Sequence, residues 1–384
     1  MAKNNFFNVI DFGSSKIRLS VFNGEHKEIF SKSSLLDSTN DNKYYIDELK
    51  KIVKIAEKEI STYIEDVILI FDPNKIFIIE VSLNKKTDKK MKVNQIYNLL
   101  LMELKHLIKN NYEKYELAHI HSDQHIINNK SYDKLPIDKK DINNLKVDFK
   151  LICLPKNQIL DLRNNFNLNN LNITNIFCAS YVKSLTYLNK LNINKISFLD
   201  IGWKRSTTIH YENFSLQSIK AIPVGSFHIT QDISKIFKIS IEEAEKIKKV
   251  FNKSETEFSY INNSSDNISV KEILDKKISI DLLKKVILYR FQEILDLAFK
   301  RSKLEFNSYD ESELFLIGEG SILFNSNSFY LNDNFNFNSI KCYEENDTEI
   351  CSSALKYYQN IKHKYETFNK KTGLFETFFN FFDK

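Results

Sequence analysis

The chain has 384 residues, 42% of them hydrophobic, which is enough for two or more domains with full cores. Its 55 basic and 50 acidic residues leave a net charge of +5 dispersed along the chain, which argues against a nucleic-acid binder with its cations gathered on one face. Cys153, Cys178, Cys342 and Cys351 form no C-x-x-C pair, no apolar leader precedes Asp11, and no run reaches the roughly 20 apolar residues of a membrane span, so a cytoplasmic protein with reduced thiols is expected.

Only seven glycines occur, and Gly13, Gly202, Gly225, Gly318 and Gly320 fall at the turns of strand-turn patterns, where φ > 0 or close ligand approach is expected. Residues 6–22 predict a strand, a tight turn Asp11-Phe12-Gly13-Ser14-Ser15-Lys16, and a second alternating strand. Residues 73–149 predict a mixed segment with an amphipathic helix over Asn94–Lys109 and a strand over Val147–Cys153. Within it His119, His121 and His125 are spaced as metal ligands could be, but no completed ligand set accompanies them, and they are expected to be ordinary polar strand positions. The Asn-rich stretches Asn164–Asn175 and Asn325–Asn338 read as solvated loops.

Residues 195–222 repeat the first pattern: a strand ending in Asp200, a turn at Gly202, then strands over Thr207–Tyr211 and Leu216–Ile222. In each copy a first strand ends in Asp and Gly follows within two residues. Two such turns facing each other would offer backbone N–H groups and hydroxyls to phosphate oxygens, with Asp11 and Asp200 holding a hydrated Mg2+. A helix is expected over 240–250 and a long one over Ile278–Lys303. The strand Leu314–Ile317 leads into Gly318-Glu319-Gly320-Ser321, where a helix opens and the backbone can pass close under a base and ribose. A helix over Glu349–Tyr358 closes the core, Gln359–Lys371 reads as a polar connector, and residues 372–384 form an amphipathic helix. Leu374, Phe375, Phe378, Phe379, Phe381 and Phe382 share one face of it, which is expected to lie in a membrane surface.

Taken together, the two Asp-x-Gly turns and the strand-Gly-x-Gly-helix resemble the actin/Hsp70/hexokinase superfamily of ATPases, and within it the FtsA family of bacterial cell-division proteins. The resemblance is carried by Asp200 to Pro223, by Gly225, Thr230, Asp232, Ile233 and Phe237, and by Ala244-Glu245-x-Ile247-Lys248. It implies an α/β chain of actin-like ATPase fold, two duplicated α/β domains around a nucleotide cleft, with an FtsA-type inserted subdomain called 1C. The expected divisions are 1–72 with 150–198 (1A), 73–149 (1C), 199–232 with 310–361 (2A), 233–309 (2B), a linker 362–371 and the terminal helix.

The resemblance also implies ATP and Mg2+ as ligands. The nucleotide would meet Asp11, Gly13, Ser14, Ser15, Lys16, Asp200, Gly202, Lys204, Arg205, Gly225, Gly318, Gly320 and Ser321, with Glu245 and Lys248 near the ribose. Trp203, Lys204 and Arg205 replace glycines and a Thr of the family's second phosphate turn, and Glu319 replaces a glycine of the third site; the expectation is ATP binding with at most weak hydrolysis. Lys284, Lys285, Arg290, Lys300 and Arg301 are expected to border a groove for the acidic, apolar FtsZ C-terminal peptide. Other implied partners are copies of the chain itself in filaments, the cytoplasmic membrane surface at the division site, and later division proteins through 1C. A PilM-like pilus or secretion assembly protein, or a small-molecule kinase of the superfamily, is the alternative reading.

Overall fold

In the computed structural model, residues 6–36, 42–132, 135–136, 139–140, 142–191, 193–253, 278–300, 312–324, 337–343 and 345–369 are described. β1 (Phe7–Phe12) and β2 (Lys16–Phe22) are buried on both faces along most of their length, as strands of a sheet covered on both sides are, with Asp11 and Arg18 among the buried polar positions. β3 (Glu28–Leu35) continues the antiparallel meander, and β4 (Asp66–Phe71) and β9 (Asn172–Cys178) add to β1 in parallel, giving the order β3-β2-β1-β4-β9. α1 (Asn42–Ile60) and α3 (Lys156–Asn167) cover one face through residues such as Leu49, Ile52, Ile159 and Phe166. α4 (Ala179–Leu188) and α8 (Asp347–Asn369) cover the other through Val182, Ile350 and Leu355.

The second lobe repeats this plan. β10 (Lys195–Ile201), β11 (Ser206–Glu212) and β12 (Ser215–Ile222) form the meander, and β13 (Glu313–Ile317) and β14 (Ser339–Cys342) add in parallel, in the order β12-β11-β10-β13-β14. The duplication expected from the two turns therefore extends to whole five-stranded sheets. α5 (Ser226–Phe237), α6 (Ile241–Lys253) and α7 (Ile280–Leu295) pack on this sheet around Ile229, Ala244, Ile287 and Phe291. α4 lies between the lobes: Tyr181, Tyr187 and Leu188 join the cluster formed by β10, β11 and β13.

Between β4 and β9 the chain builds a third sheet from β5 (Phe77–Met91), β6 (Tyr115–Ile127), β7 (Lys130–Tyr132) and β8 (Ile142–Pro155), all antiparallel, in the order β5-β8-β6-β7. α2 (Val93–Asn111) buries Ile96, Leu100, Leu104 and Ile108 against it, the i, i+4 spacing of an apolar helical stripe.

Four expectations are corrected. Asn164–Asn175 is not a loop: α3 runs to Asn167 and β9 begins at Asn172, with Leu171 and Ile173 buried and Asn172 and Thr174 exposed in alternation. The helix expected to run from Ile278 to Lys303 starts at Ile280 and widens into a π-helical turn over Asp296–Lys300; residues 301–303 lie outside the described residues. The helix expected to open at Ser321 is a 3-10 helix that already begins at Glu319 and runs to Phe324. The polar connector expected from Gln359 is instead the continuation of α8 to Asn369. Of Asn325–Asn338, residues 325–336 lie outside the described residues, as do 370–384 with the expected amphipathic face.

The three histidines of β6 serve packing. His119 is buried; its Nε2 accepts from the Cys178 N–H at 2.9 Å, and its Nδ1 lies 2.9 Å from the Tyr357 hydroxyl, tying the inserted sheet to β9 and α8. His121 contacts Tyr181 Oη at 3.1 Å and Asp123 at 3.1 Å, and His125 is buried. With Tyr181, Phe177 and Tyr357 packed around it at tilted or edge-on angles, His119 is held neutral, and burial pushes its imidazole down to about 3. Because that folded value lies below the unfolded one, the unfolded chain binds the extra proton, and stability falls as pH drops below 6.5. The expected loss from His119 between about pH 7.5 and 5 is about 2 kcal/mol. Urea unfolding at the two pH values checks this: His119→Gln should flatten the difference by that amount, and an unchanged difference would contradict it.

Candidate functional site

The two repeated turns are built alike. Gly13 N–H donates to Lys16 O at 3.1 Å, and Gly202 N–H donates to Arg205 O at 3.0 Å, closing equivalent hairpins at the ends of β1 and β10. They meet directly, with Lys204 N–H donating to the Ser14 hydroxyl at 3.3 Å. The first N–H groups of α5 are also taken, Ser226 by Gly202 O at 2.9 Å and Phe227 by Trp203 O at 2.8 Å. Gly225 is required here because a Cβ would come within 2.6 Å of Gly202 O, Trp203 O and Arg205 N. Gly318 has φ +87 and passes against the Asp200 carboxylate. The close approach these two glycines permit is to the protein's own backbone and carboxylate.

Charged side chains fill the floor of the cleft. Asp11 is the cross-strand partner of Arg18, and the Arg18 fork donates to Asp11 at 2.6 Å, to Asp347 at 2.7 Å and to Glu319. Lys16 adds ion pairs to Glu319 at 2.7 Å and Asp347 at 3.1 Å. In the second half of the cluster, Lys183 from α4 lies 2.5 Å from Asp200 and 3.1 Å from Glu345. Asp72, at the end of β4, accepts from the Ser180 N–H at 3.0 Å and hydroxyl at 2.7 Å, and its backbone carbonyl accepts from Arg205.

Burial pushes the carboxyls of Asp11, Asp72 and Glu345 up, Glu345 to about 7, while the cations beside them pull in the other direction. Burial also works against the charge on Lys183, but Asp200 and Glu345 outweigh it and hold the ammonium protonated. Sequence reasoning missed Arg18, Asp72, Lys183, Glu345 and Asp347. Arg18 was legible in principle, since a hairpin closed by Gly13 and Lys16 sets residue 11 opposite residue 18.

This arrangement does not fit the Mg2+ expected at Asp11 and Asp200. A hydrated Mg2+ needs an octahedral shell of oxygens at about 2.0–2.1 Å with its waters. Asp200 has one oxygen against Lys183 and the other against Gly318, and Asp11 faces Arg18. Among the described residues no group of three or more His, Cys, Asp or Glu is placed to hold a metal ion.

Two adjoining chambers lie beside the turns. One of about 430 Å3 is lined by both turns with Asp72, Lys183 and Asn165. The other, about 850 Å3, is lined by Lys16, Leu35, Ile241, Glu245, Lys248 and Gly320. Trp203, Ser15, Glu319 and Glu345 border both. Trp203 packs on Phe227 with ring centres 5.1 Å apart, and its Nε1 is buried with no acceptor among the described residues. The Lys248 ammonium sits 4.7 Å above the indole and bonds Glu245 at 2.6 Å and Thr230 at 2.8 Å. Burial lowers Lys248 to about 8 against the pull of Glu245. Lys248 is thus turned onto Trp203, and both it and Glu245 line the larger chamber. Ser321 is fully buried, its hydroxyl donating to Gly318 O at 2.7 Å, so it supports the third turn from below.

On α7, Arg290 is committed to a bidentate pair with Asp232 at 2.6 and 2.8 Å and to Glu293 at 2.5 Å, so the cation expected to border a peptide groove is tied to its own lobe. Lys285 is exposed and Lys284 half-buried beside exposed Leu282 and Tyr289. Nothing is described of the Lys300 side chain, and Arg301, Leu374, Phe375, Phe378, Phe379, Phe381 and Phe382 lie outside the described residues.

Residues 198–362 match the family model "Cell division protein FtsA". FtsA of Helicobacter pylori, in two strains, is 27% identical over 140 residues, which are 34% of this chain and 28% of the length of those relatives. Among solved structures, a PilM-PilN type IV pilus biogenesis complex aligns with TM-score 0.52 and 12% identity over 91% of this chain and 96% of that one. MreB5 of Spiroplasma citri bound to AMPPNP aligns with TM-score 0.49 and 12% identity, over 94% and 98% of the two chains. With two sheets of one topology facing across a cleft, the chain has the actin-like ATPase fold, and its second half resembles FtsA.

Proposed function

We propose that the chain is an FtsA-like cell-division protein that binds ATP between its lobes, self-associates, and tethers FtsZ polymers to the inner face of the cytoplasmic membrane. The observation that carries the nucleotide reading is the pair of matched turns meeting at Ser14 and Lys204 beside a chamber of about 850 Å3 that carries Glu245 and Gly320. The base and ribose would occupy the larger chamber. The phosphates would enter between the turns, parting Ser14 from Lys204 and meeting the Lys204 and Arg205 cations. The Trp203 indole N–H supplies a further donor to a ligand oxygen.

Hydrolysis is expected to be weak at most, because Trp203 stands between the chambers and the second turn lacks the glycine backbone that would wrap a terminal phosphate. The nucleotide then acts mainly by holding the lobes in the form that assembles. Self-association makes weak membrane contacts of single chains additive, since each further contact in an array is intramolecular. The membrane contact is assigned to the phenylalanine face of residues 372–384, and the inserted sheet with α2 to self-association and to later division proteins. The exposed Lys285, Leu282 and Tyr289 suit an acidic, apolar peptide such as the FtsZ C-terminus. A PilM-like assembly protein shares the fold and is the second reading, and the terminal segment separates the two.

The single tryptophan reports directly on the cleft. ATP titrated into the full chain is expected to change Trp203 fluorescence saturably, and Lys204→Glu should weaken the apparent affinity by about tenfold or more; a chain whose fluorescence never responds to ATP would contradict nucleotide binding here. Co-sedimentation with anionic lipid vesicles tests the tether: removal of residues 373–384 should abolish binding, and undiminished binding of the truncated chain would sink the assignment.

A further inference from the structure

The two carboxylates at the heart of the cleft are each already paired with a buried cation, Asp11 with Arg18 and Asp200 with Lys183. Arg18 and Lys183 together carry the charge of a divalent cation, and Glu319, Asp347 and Glu345 share it. Both cations are fixed by the fold rather than by a passing contact. Arg18 sits on β2 at the cross-strand position of Asp11, with Asp347 and Glu319 holding the rest of its fork. Lys183 rises from α4, eight of whose ten residues are buried between the lobes, and reaches Asp200 at 2.5 Å and Glu345 at 3.1 Å. Each of the two residues is 7% exposed.

We propose that Arg18 and Lys183 stand in place of a divalent cation, so that this cleft takes its polyphosphate ligand without metal. A metal ion entering between Asp11 and Asp200 would take Asp11 from Arg18 and Asp200 from Lys183 while both cations stay buried, which is the costly way to break a buried ion pair. A phosphate group arriving without a metal leaves the pairs intact. Both cations also line the smaller chamber. A guanidinium carries five N–H groups, and Arg18 uses one toward each of three carboxylates, so donors remain for a phosphate oxygen.

The proposal rests on the nucleotide reading for its ligand but not for its exclusion of metal, and two arms of one experiment keep these apart. In the first arm, Trp203 fluorescence of the full chain is titrated with ATP in excess EDTA and in millimolar Mg2+. Equal affinities within about threefold are expected, and a gain of about tenfold or more with Mg2+ would overturn the proposal. In the second arm, Mn2+ alone is added as a paramagnetic quencher, because Trp203 lines the same chamber as both carboxylates. Wild-type fluorescence should show no saturable quenching, whereas Lys183→Met, which uncovers Asp200 and Glu345, should acquire it. Saturable quenching of the wild type, or none in the folded variant, would overturn the proposal. Lys183→Gln replaces Lys183→Met if the latter fails to fold, with the same expected outcome. If ATP binds in neither condition, the nucleotide reading fails, and the Mn2+ arm still decides whether Arg18 and Lys183 exclude metal.

Discussion

A carboxylate at the end of the first strand of each lobe, held against a buried cation, is the constraint around which the cleft is arranged. Asp11 and Asp200 end β1 and β10, the central strands of two sheets with the same order, so both carboxylates emerge at the cleft. Arg18 and Lys183 then bind them to residues far away in sequence: Glu319 at the start of the 3-10 helix, Glu345 just before α8, and Asp347 within its first turn. Since α8 packs on the first sheet and the 3-10 helix on the second, these pairs also fasten one lobe to the other. Removing Asp11 or Asp200, the buried partners, costs about 3–5 kcal/mol, far more than a surface pair is worth.

The same constraint explains the departures in the second turn. Trp203 is accommodated because Phe227 and the Lys248 ammonium both pack against its ring, and Lys248 tolerates burial because Glu245 and Thr230 meet its protons. Gly225 lets α5 approach the turn closely enough for Ser226 and Phe227 to donate to it. A turn stabilised this way is preorganised without a ligand. That suits a nucleotide used to set the shape of a protomer more than one consumed in turnover.

The turns and their strands could be read from the sequence because two local signals coincided, an Asp-x-Gly at the end of an apolar run and alternation beyond it. α2 was legible for the same reason, its apolar residues recurring at helical spacing. The boundary between α3 and β9 was hidden by composition: Asn164, Asn167, Asn170 and Asn172 are exposed there, so a real period of two beginning at Leu171 looked like a loop. The full extent of α8 was obscured by the polar residues from Gln359 onward. Within the cleft, Arg18 follows from hairpin register, but Lys183, Asp72 and Glu345 come from separate elements whose meeting depends on the packed fold. No spacing in the sequence encodes it. The inward turn of Lys248 was likewise set by Trp203, a neighbour from another element.

A crystal structure of the full chain with a non-hydrolysable ATP analogue and Mg2+ present would test the central claim most directly. The account predicts the phosphates between the Gly13–Lys16 and Gly202–Arg205 turns, the Ser14–Lys204 contact opened, and Arg18 and Lys183 still paired with Asp11 and Asp200. A metal ion bridging those two aspartates with both cations displaced, or an analogue bound away from the turns, would contradict it.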